Sequence, residues 1–155
     1  VDYWLAKGAP PSKLTLGVGT YGRGWKLADP QKSSGFNAPA VGPSSPGQAT
    51  GEAGYAAHYE ILEHLRAGAT RVYDEERQCP YIVTRGGEWI GYDDAESVQA
   101  KVRFARAKGL RGTMVWALDL DDFTGHYSGG IKYPLISLLL GPGGPDPVSP
   151  PTPPP

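Results

Sequence analysis

The sequence predicts an α/β chain that holds two strands of a parallel β/α barrel and, between them, a small α+β unit. Residues 94–108 show helix periodicity and are followed, after Gly109, by the continuous apolar run 114–118, which ends in acidic residues. Residues 14–18 alternate apolar with small side chains before a polar segment begins at Tyr21. A helix, a short loop, a buried strand and then polar side chains follow one another in β/α barrels, whose sites lie at the carboxyl ends of the strands.

Length and charge limit what the chain can be. Its 155 residues are fewer than the about 250 of a complete eight-stranded barrel, so we expect the other strands to lie outside this sequence. The 15 basic and 16 acidic residues give a net charge of −1, which argues against nucleic acid or an acidic membrane as a partner bound by bulk charge. No stretch is long and apolar enough to span a membrane. Cys79 is the only cysteine, so no disulfide can form within the chain.

The first segment, residues 1–27, is predicted to hold the end of a helix and one barrel strand. Residues 1–7 are interpreted as the helix end, which Gly8 stops. In the strand that follows, Gly17 and Gly19 leave one face thin, as the crowded interior of a small barrel requires.

Residues 28–91 are predicted to form the α+β unit. Gly, Pro and Ser dominate its first part, and apolar residues at helical spacing begin at Tyr55. In order, we expect an irregular loop at 28–51, a helix at 54–67 and three short strands at 70–74, 81–84 and 88–91. Arg85, Gly86 and Gly87 suit the hairpin turn between the last two strands.

Residues 92–140 are predicted to return to the barrel with a helix, a strand and a short closing helix. Asp93 and Asp94 stand at the start of the first helix, where either carboxylate suits the free amides. Pro134 is well placed to start the closing helix. Residues 141–155 are almost entirely Pro, Gly, Ser and Thr, which predicts a stiff, extended linker without a core of its own.

Three segments resemble the family-18 glycoside hydrolases, the chitinases and chitinase-like lectins. The segments are MVWALDLDDF (114–123), similar to the eighth barrel strand, KLTLGVGTYGR (13–23), similar to the seventh, and GYDDAESVQAK (91–101), similar to the lead into the following helix. They occur in the family's order over roughly residues 1–140. The resemblance implies the carboxyl-terminal portion of a (β/α)8 TIM barrel, strands seven and eight, with residues 28–91 as the insertion domain that raises one wall of the substrate cleft.

The resemblance also implies a set of substrate-binding residues on the two strands and the insertion domain. The set is Trp116, Met114, Tyr21, Arg23, Glu52 and Tyr55. In the family, the residue that matches Trp116 floors the subsite beside the cleaved bond, and pyranose rings pack on such an indole face. The phenol of Tyr21 and the guanidinium of Arg23 both suit sugar hydroxyls or an acetamido carbonyl. Glu52 and Tyr55, at the expected start of the insertion-domain helix, match positions of the cleft wall.

Four of these residues also have a purely structural explanation from the sequence. The residues alone favour Trp116 as a core residue of a buried strand. Arg23 would serve equally as half of an ion pair, and Tyr21 as a rim aromatic. Glu52 suits a helix start electrostatically without any ligand. Only the resemblance favours the binding interpretation over these alternatives.

The remaining polar clusters do not indicate a metal or a cofactor. Asp119, Asp121 and Asp122 lack the glycine turn and distal glutamate of a calcium loop, so we expect them to bind backbone amides of the next turn. His58 and His64 lie six residues apart on the predicted helix, which places them on different faces.

No catalytic residue is expected within this chain. The family resemblance implies a general acid that is the last residue of an Asp-x-x-Asp-x-Asp-x-Glu strand, with the acetamido group of the substrate as nucleophile. No such string occurs in the sequence, and the nearest acidic run, residues 74–76, has neither its spacing nor its apolar surroundings. The Tyr-Asp pair that positions the acetamido group is missing as well. We therefore expect the chain by itself to be catalytically silent.

The resemblance implies part of a secreted, extracellular chitinase that cleaves β-1,4 bonds in N-acetylglucosamine polymers. The expected partners are chitin or chito-oligosaccharides, the remainder of the barrel and a chitin-binding module after the linker. A chitinase-like lectin that binds the same polymer without cleaving it is the first alternative. The second is a secreted matrix or structural protein that keeps this half-barrel as a packing module and has no affinity for chitin oligosaccharides.

Overall fold

The computed structural model describes residues 1–32 and 34–140; the linker predicted at 141–155 lies outside the described residues. In chain order the elements are α1 (Asp2–Ala6), β1 (Thr15–Gly19), β2 (Tyr21–Leu27), β3 (Ala40–Pro43), β4 (Tyr55–Ala57), α2 (His58–Arg66), β5 (Thr70–Asp74), β6 (Cys79–Val83), β7 (Glu88–Gly91), α3 (Ala95–Ala107), β8 (Gly112–Trp116) and α4 (Pro134–Leu139). Within these residues, no helix is both long and apolar enough to cross a membrane.

The strands β1 and β8, which correspond to the two strands predicted for the barrel, form a two-stranded parallel sheet. Its helix-facing side packs against α3 and α4 in a small core of Val18, Val98, Val102 and Leu135. Asp94 accepts hydrogen bonds from the amides of Glu96 and Ser97 and so caps α3, as one of the two predicted arrangements requires. Gly109 ends the helix in a left-handed conformation with φ of 63°.

The other six strands form a largely antiparallel sheet in the order β3-β2-β7-β6-β5, with β4 also paired to β2. Residues 21–27, which we grouped with the first barrel segment, form β2 and lie in this sheet. The helix α2 covers one face, where the core contains Ala56, Ile61, Ile82, Ile90 and Tyr92. The chain therefore has two small cores, one beneath each sheet.

The strand predicted at 114–118 lies two residues earlier, at Gly112–Trp116, and it is not buried on both faces. Met114 and Trp116 are exposed, whereas Val18 of the neighbouring strand is buried under the two helices. Helices cover only one side of this sheet, so side chains that alternate along a strand have opposite environments. Leu118, expected to end the strand, begins a 3-10 turn.

The helix predicted at 54–67 begins at His58, because residues 55–57 form β4 instead. The Glu60 carboxylate accepts the amide hydrogen of Ala57 at 2.9 Å and fixes the helix start there. Glu52 and Tyr55 are therefore not at a helix start, and the electrostatic explanation offered for Glu52 does not apply. The loop predicted at 28–51 contains the short strand β3, which pairs with β2. The strands β5, β6 and β7 agree with the predicted ones within two residues.

Candidate functional site

A candidate site lies where the two sheets meet, at the carboxyl ends of β1 and β8. The junction residue is Thr20, which is fully buried. Its amide donates to the carbonyl of Trp116 at 3.1 Å, and its hydroxyl donates to the carbonyl of Ala117. Its own carbonyl accepts the amide hydrogen of His58 at 2.9 Å. Thr20 thus joins the end of β8 to the start of β2 and the first turn of α2.

The open side of the two-stranded sheet forms a flat apolar floor. Met114 and Trp116 project there and are 48% and 67% exposed. They lie opposite Gly17 and Gly19 of β1. A Cβ atom on Gly17 would lie 3.2 Å from Cε of Met114, so the absence of a side chain leaves the space that the methionine occupies. A Cβ atom on Gly19 would lie 3.1 Å from Cε1 of Tyr21, so this glycine leaves space for the Tyr21 ring. The peptide bond after Trp116 is cis.

The wall beside this floor is a cluster of Tyr21, Arg23, Tyr55 and Glu52. The rings of Tyr21 and Tyr55 lie with their centroids 5.0 Å apart. The guanidinium of Arg23 is 4.7 Å from the ring centroid of Tyr55 and 5.7 Å from that of Tyr21. Its Nη1 is 3.3 Å from Oε1 of Glu52. Both members of this ion pair are more than half exposed, so the pair adds little to stability and keeps its polar atoms open to a ligand.

The Tyr55 phenol remains a hydrogen-bond donor at neutral pH. Burial raises the pKa of Tyr55, and the nearby Tyr21 reinforces this while the Arg23 guanidinium opposes it. A protonated phenol both donates and accepts, which suits it to hydroxyl and amide groups.

A buried pair of side chains supports the junction from behind. His58 Nδ1 lies 2.9 Å from Oδ1 of Asp121, and both side chains are buried. The other oxygen of Asp121 accepts the amide hydrogens of Leu135 and Ile136, in the first turn of α4, at 3.0 Å each. Oδ1 also accepts the amide hydrogen of Asp122 at 2.9 Å. The carboxylate therefore connects α2, the turn after β8 and α4.

The structure brings the sequence-predicted residues together in two neighbouring groups. Trp116 and Met114 share the floor, while the wall contains the other four. The backbone bonds of Thr20 connect the two groups. The expectation for the acidic run is confirmed for Asp121 and Asp122, both of which bind backbone amides.

Sequence reasoning missed the supporting residues. His58 was considered only as a metal ligand, and its contact with Asp121 spans 63 positions of sequence. Glu60 was not singled out, although it accepts the amides of Ala49 and Thr50 and fixes the loop before β4. The sequence did not single it out, because the predicted helix began at residue 54, and only the observed start at His58 places Glu60 in the first turn, where a glutamate suits the free amides. Over residues 1–32 and 34–140, no three His, Cys, Asp or Glu side chains cluster closely enough to hold a metal ion.

Comparison with known proteins shows a consistent set of relatives. A family model described as Glycosyl hydrolases family 18 matches residues 1–121. Chitotriosidase-1 of Mus musculus is 43% identical over 139 residues, which are 90% of this chain and 29% of that protein. The crystal structure of an immunomodulatory active chitinase from Trichuris suis superimposes with a TM-score of 0.85 at 42% identity, over 89% of this chain and 38% of that one.

Human YKL-39, described as a pseudo-chitinase with retained chitooligosaccharide binding properties, superimposes with a TM-score of 0.84 at 39% identity. The match covers 89% of this chain and 37% of that one. This chain thus spans less than two fifths of the length of each of these relatives.

Proposed function

The chain belongs to glycosyl hydrolases family 18, and from this premise we propose that it supplies the floor and one wall of a cleft that binds chito-oligosaccharides. In the complete protein, the remaining strands of the barrel would stand beside β1 and β8 and close the cleft. The reaction we propose for that protein is hydrolysis of β-1,4 bonds between N-acetylglucosamine units.

The observation that carries the proposal is the exposed indole of Trp116 at the end of a parallel strand. The indole lies on the side of the sheet that no helix of this chain covers, and it is 67% exposed. A pyranose ring presents C–H groups on its faces, so it packs on an aromatic face and gains both burial and dispersion contacts. Met114, on the same face, extends this apolar floor.

The wall supplies the polar half of the recognition. Arg23 offers donors to an acetamido carbonyl, and the Tyr55 phenol and Glu52 carboxylate suit sugar hydroxyls. The ion pair between Arg23 and Glu52 holds both groups near one edge of the cluster. Apolar floor and polar wall together match a ligand whose rings have apolar faces and polar edges.

Binding without hydrolysis is the second candidate. The similarity to human YKL-39, described as a pseudo-chitinase that retains chitooligosaccharide binding, favours it. The similarity to chitotriosidase-1 and to an active chitinase from Trichuris suis favours hydrolysis. The two candidates share the floor and the wall, and they differ only in whether a general acid stands above the floor.

Calorimetric titration of the native protein that contains this sequence, with the N-acetylglucosamine tetramer, tests the binding proposal. Trp116→Ala is expected to weaken binding by ~0.5–1.5 kcal/mol from the stacking contact alone, while Trp4→Ala, an exposed tryptophan of α1, leaves affinity unchanged. Unchanged affinity in a folded Trp116→Ala protein would refute the floor assignment. A wild-type protein without affinity would instead support a matrix or structural role.

Turnover of a fluorogenic chitobioside separates the enzyme from the lectin. The native protein is expected to hydrolyse it if a general acid is present in the complete barrel, and the 155-residue chain is expected to release no fluorophore. Turnover by the 155-residue chain that tracks its chromatographic peak would show that the acid lies within this chain, contrary to the proposal.

We place the protein outside the cell, because an insoluble polysaccharide is accessible only there; detection of the protein in the medium of producing cells checks this.

A further inference from the structure

The large side chains at the start of β2 all lie on one face of the six-stranded sheet, because glycine occupies the positions that face the other side. Tyr21, Arg23 and Trp25 project to one face, and the intervening Gly22 and Gly24 leave the other face bare. Every large side chain in the first five residues of the strand is therefore displayed on the same side.

The two glycines are required by the packing behind the strand. A Cβ atom on Gly22 would lie 2.7 Å from Cγ2 of Ile90 and 2.8 Å from Cδ1 of Ile61, which is closer than packed carbon atoms approach. A Cβ atom on Gly24 would overlap the hydroxyl of Ser44. This tight contact holds the backbone of β2 and fixes the direction in which its side chains point.

Trp25 continues the wall beyond Arg23. It lies two residues further along the strand on the same face, a separation of roughly 6.8 Å in an antiparallel strand. Its indole packs against Trp89 of β7, with ring centroids 5.7 Å apart, and Trp89 stacks in turn on Tyr81 at 5.2 Å. Exposure rises along this series: Tyr81 is buried, Trp89 is half-buried and Trp25 is 46% exposed.

We propose that Trp25 is a further carbohydrate platform, which takes a pyranose unit of the same chito-oligosaccharide beyond the units held by Trp116 and Arg23. This inference rests on the proposed function, and it implies that the cleft binds a longer oligosaccharide than Trp116 and Arg23 alone would hold. Trp89 packs against the Trp25 indole, which stays 46% exposed, and an indole surface has the apolar character that a pyranose face requires. The continuity of the stripe from Tyr21 through Arg23 to Trp25 identifies the occupant as another unit of one chain.

Hydroxyl-radical footprinting of the native protein, with and without saturating N-acetylglucosamine hexamer, is the first test. We expect oxidation of Trp25 and Trp116 to fall several-fold with the hexamer, while Trp4 of α1, which is 63% exposed, oxidises as before. Protection of Trp116 alone would overturn this inference and leave the proposed function standing. Protection of neither would overturn both. Trp25 that resists oxidation without sugar would show that protein covers it, which also overturns the inference.

Ligand length provides the second test, by calorimetric titration with the N-acetylglucosamine dimer and hexamer. Trp25→Ala is expected to weaken hexamer binding roughly fivefold, the effect of one stacked ring, and to leave dimer binding unchanged. Trp25→Phe keeps a ring at this position and is expected to retain hexamer affinity within about twofold. It also keeps the proposal testable if the alanine variant fails to fold. Equal hexamer affinities for the wild type and a folded Trp25→Ala protein would overturn the inference.

Discussion

Replacement of Asp121 by alanine is expected to destabilise the protein strongly, although this residue touches no proposed ligand. Its carboxylate is fully buried and accepts four hydrogen bonds, from the His58 ring and from the amides of Asp122, Leu135 and Ile136. Alanine removes both oxygens and leaves these four donors facing an apolar cavity.

The magnitude follows from the number of donors left without a partner. One buried donor without an acceptor costs roughly 1–3 kcal/mol, so four such donors sum to about 4–12 kcal/mol. Because the first turn of α4 can fray and reach water, we expect the lower part of the summed range, on the order of 4 kcal/mol. Asp121→Asn keeps one acceptor oxygen and is expected to cost about half as much.

Urea unfolding of the native protein and its variants measures this effect through the midpoint and slope of the transition. Asp119→Ala is the matched control, because Asp119 lies in the same acidic run but is exposed, and it is expected to change stability by less than about 0.5 kcal/mol. If Asp121→Ala unfolds at the same midpoint as Asp119→Ala, the carboxylate does not hold the three segments together and the reasoning fails.

Three further predictions concern the core, the cap and the wall. Gly22→Ala is expected to lower the free energy of unfolding by ~1–3 kcal/mol, because its new methyl group overlaps two isoleucines. Gly42→Ala is the control and should be nearly neutral, because no atom lies within 4 Å of the added Cβ. Equal urea midpoints for the two variants would contradict this. Burial raises the pKa of Glu60, but hydrogen bonds from Ala57, nearby amides and a hydroxyl outweigh it and hold the pKa below its usual 4.5. The wild type is therefore expected to be more stable than Glu60→Gln above pH 4.5, and to lose this advantage as the pH falls through the folded-state pKa of Glu60. Thermal unfolding of both proteins at several pH values measures the difference. A difference that grows as the pH falls would contradict this prediction. Arg23→Lys is expected to weaken binding of the N-acetylglucosamine tetramer roughly fivefold, because an ammonium group cannot reproduce the guanidinium fork. The melting temperature is expected to change little. Equal tetramer affinities of the variant and the wild type, measured by calorimetry, would show that Arg23 does not bind the ligand.

Local sequence patterns were sufficient where short-range physics decides the structure. The capped start of α3 and its glycine end follow from the preferences of helix termini, and the structure confirms Asp94 and Gly109 in those roles. The turn around Gly86 was likewise predictable, because few residues suit a tight hairpin. The motifs of residues 13–23 and 114–123 were specific enough to indicate the family before any fold was known.

Features that depend on the surroundings of a strand could not be predicted from its own residues. The run 114–118 is apolar throughout, which predicted burial on both faces. The helices of this chain cover one side, and the exposed side, which carries Trp116, is the one left for the barrel strands that we expect outside this sequence. Tyr55 continued a helical apolar pattern, but pairing with β2 places it in a strand. Periodicity reports which residues share a face, whereas the partner that covers the face is decided by the fold.

By itself, the sequence determined the family, the positions of most helices and strands, and the list of residues proposed to bind the ligand. The tertiary structure decided how these residues are arranged. The contact of Arg23 with Tyr55 spans more than thirty positions, and that of His58 with Asp121 spans 63. Contacts of this range are not encoded in a local pattern, because a long stretch of chain must be ordered to bring their ends together. For this reason the wall and its support became visible only in three dimensions.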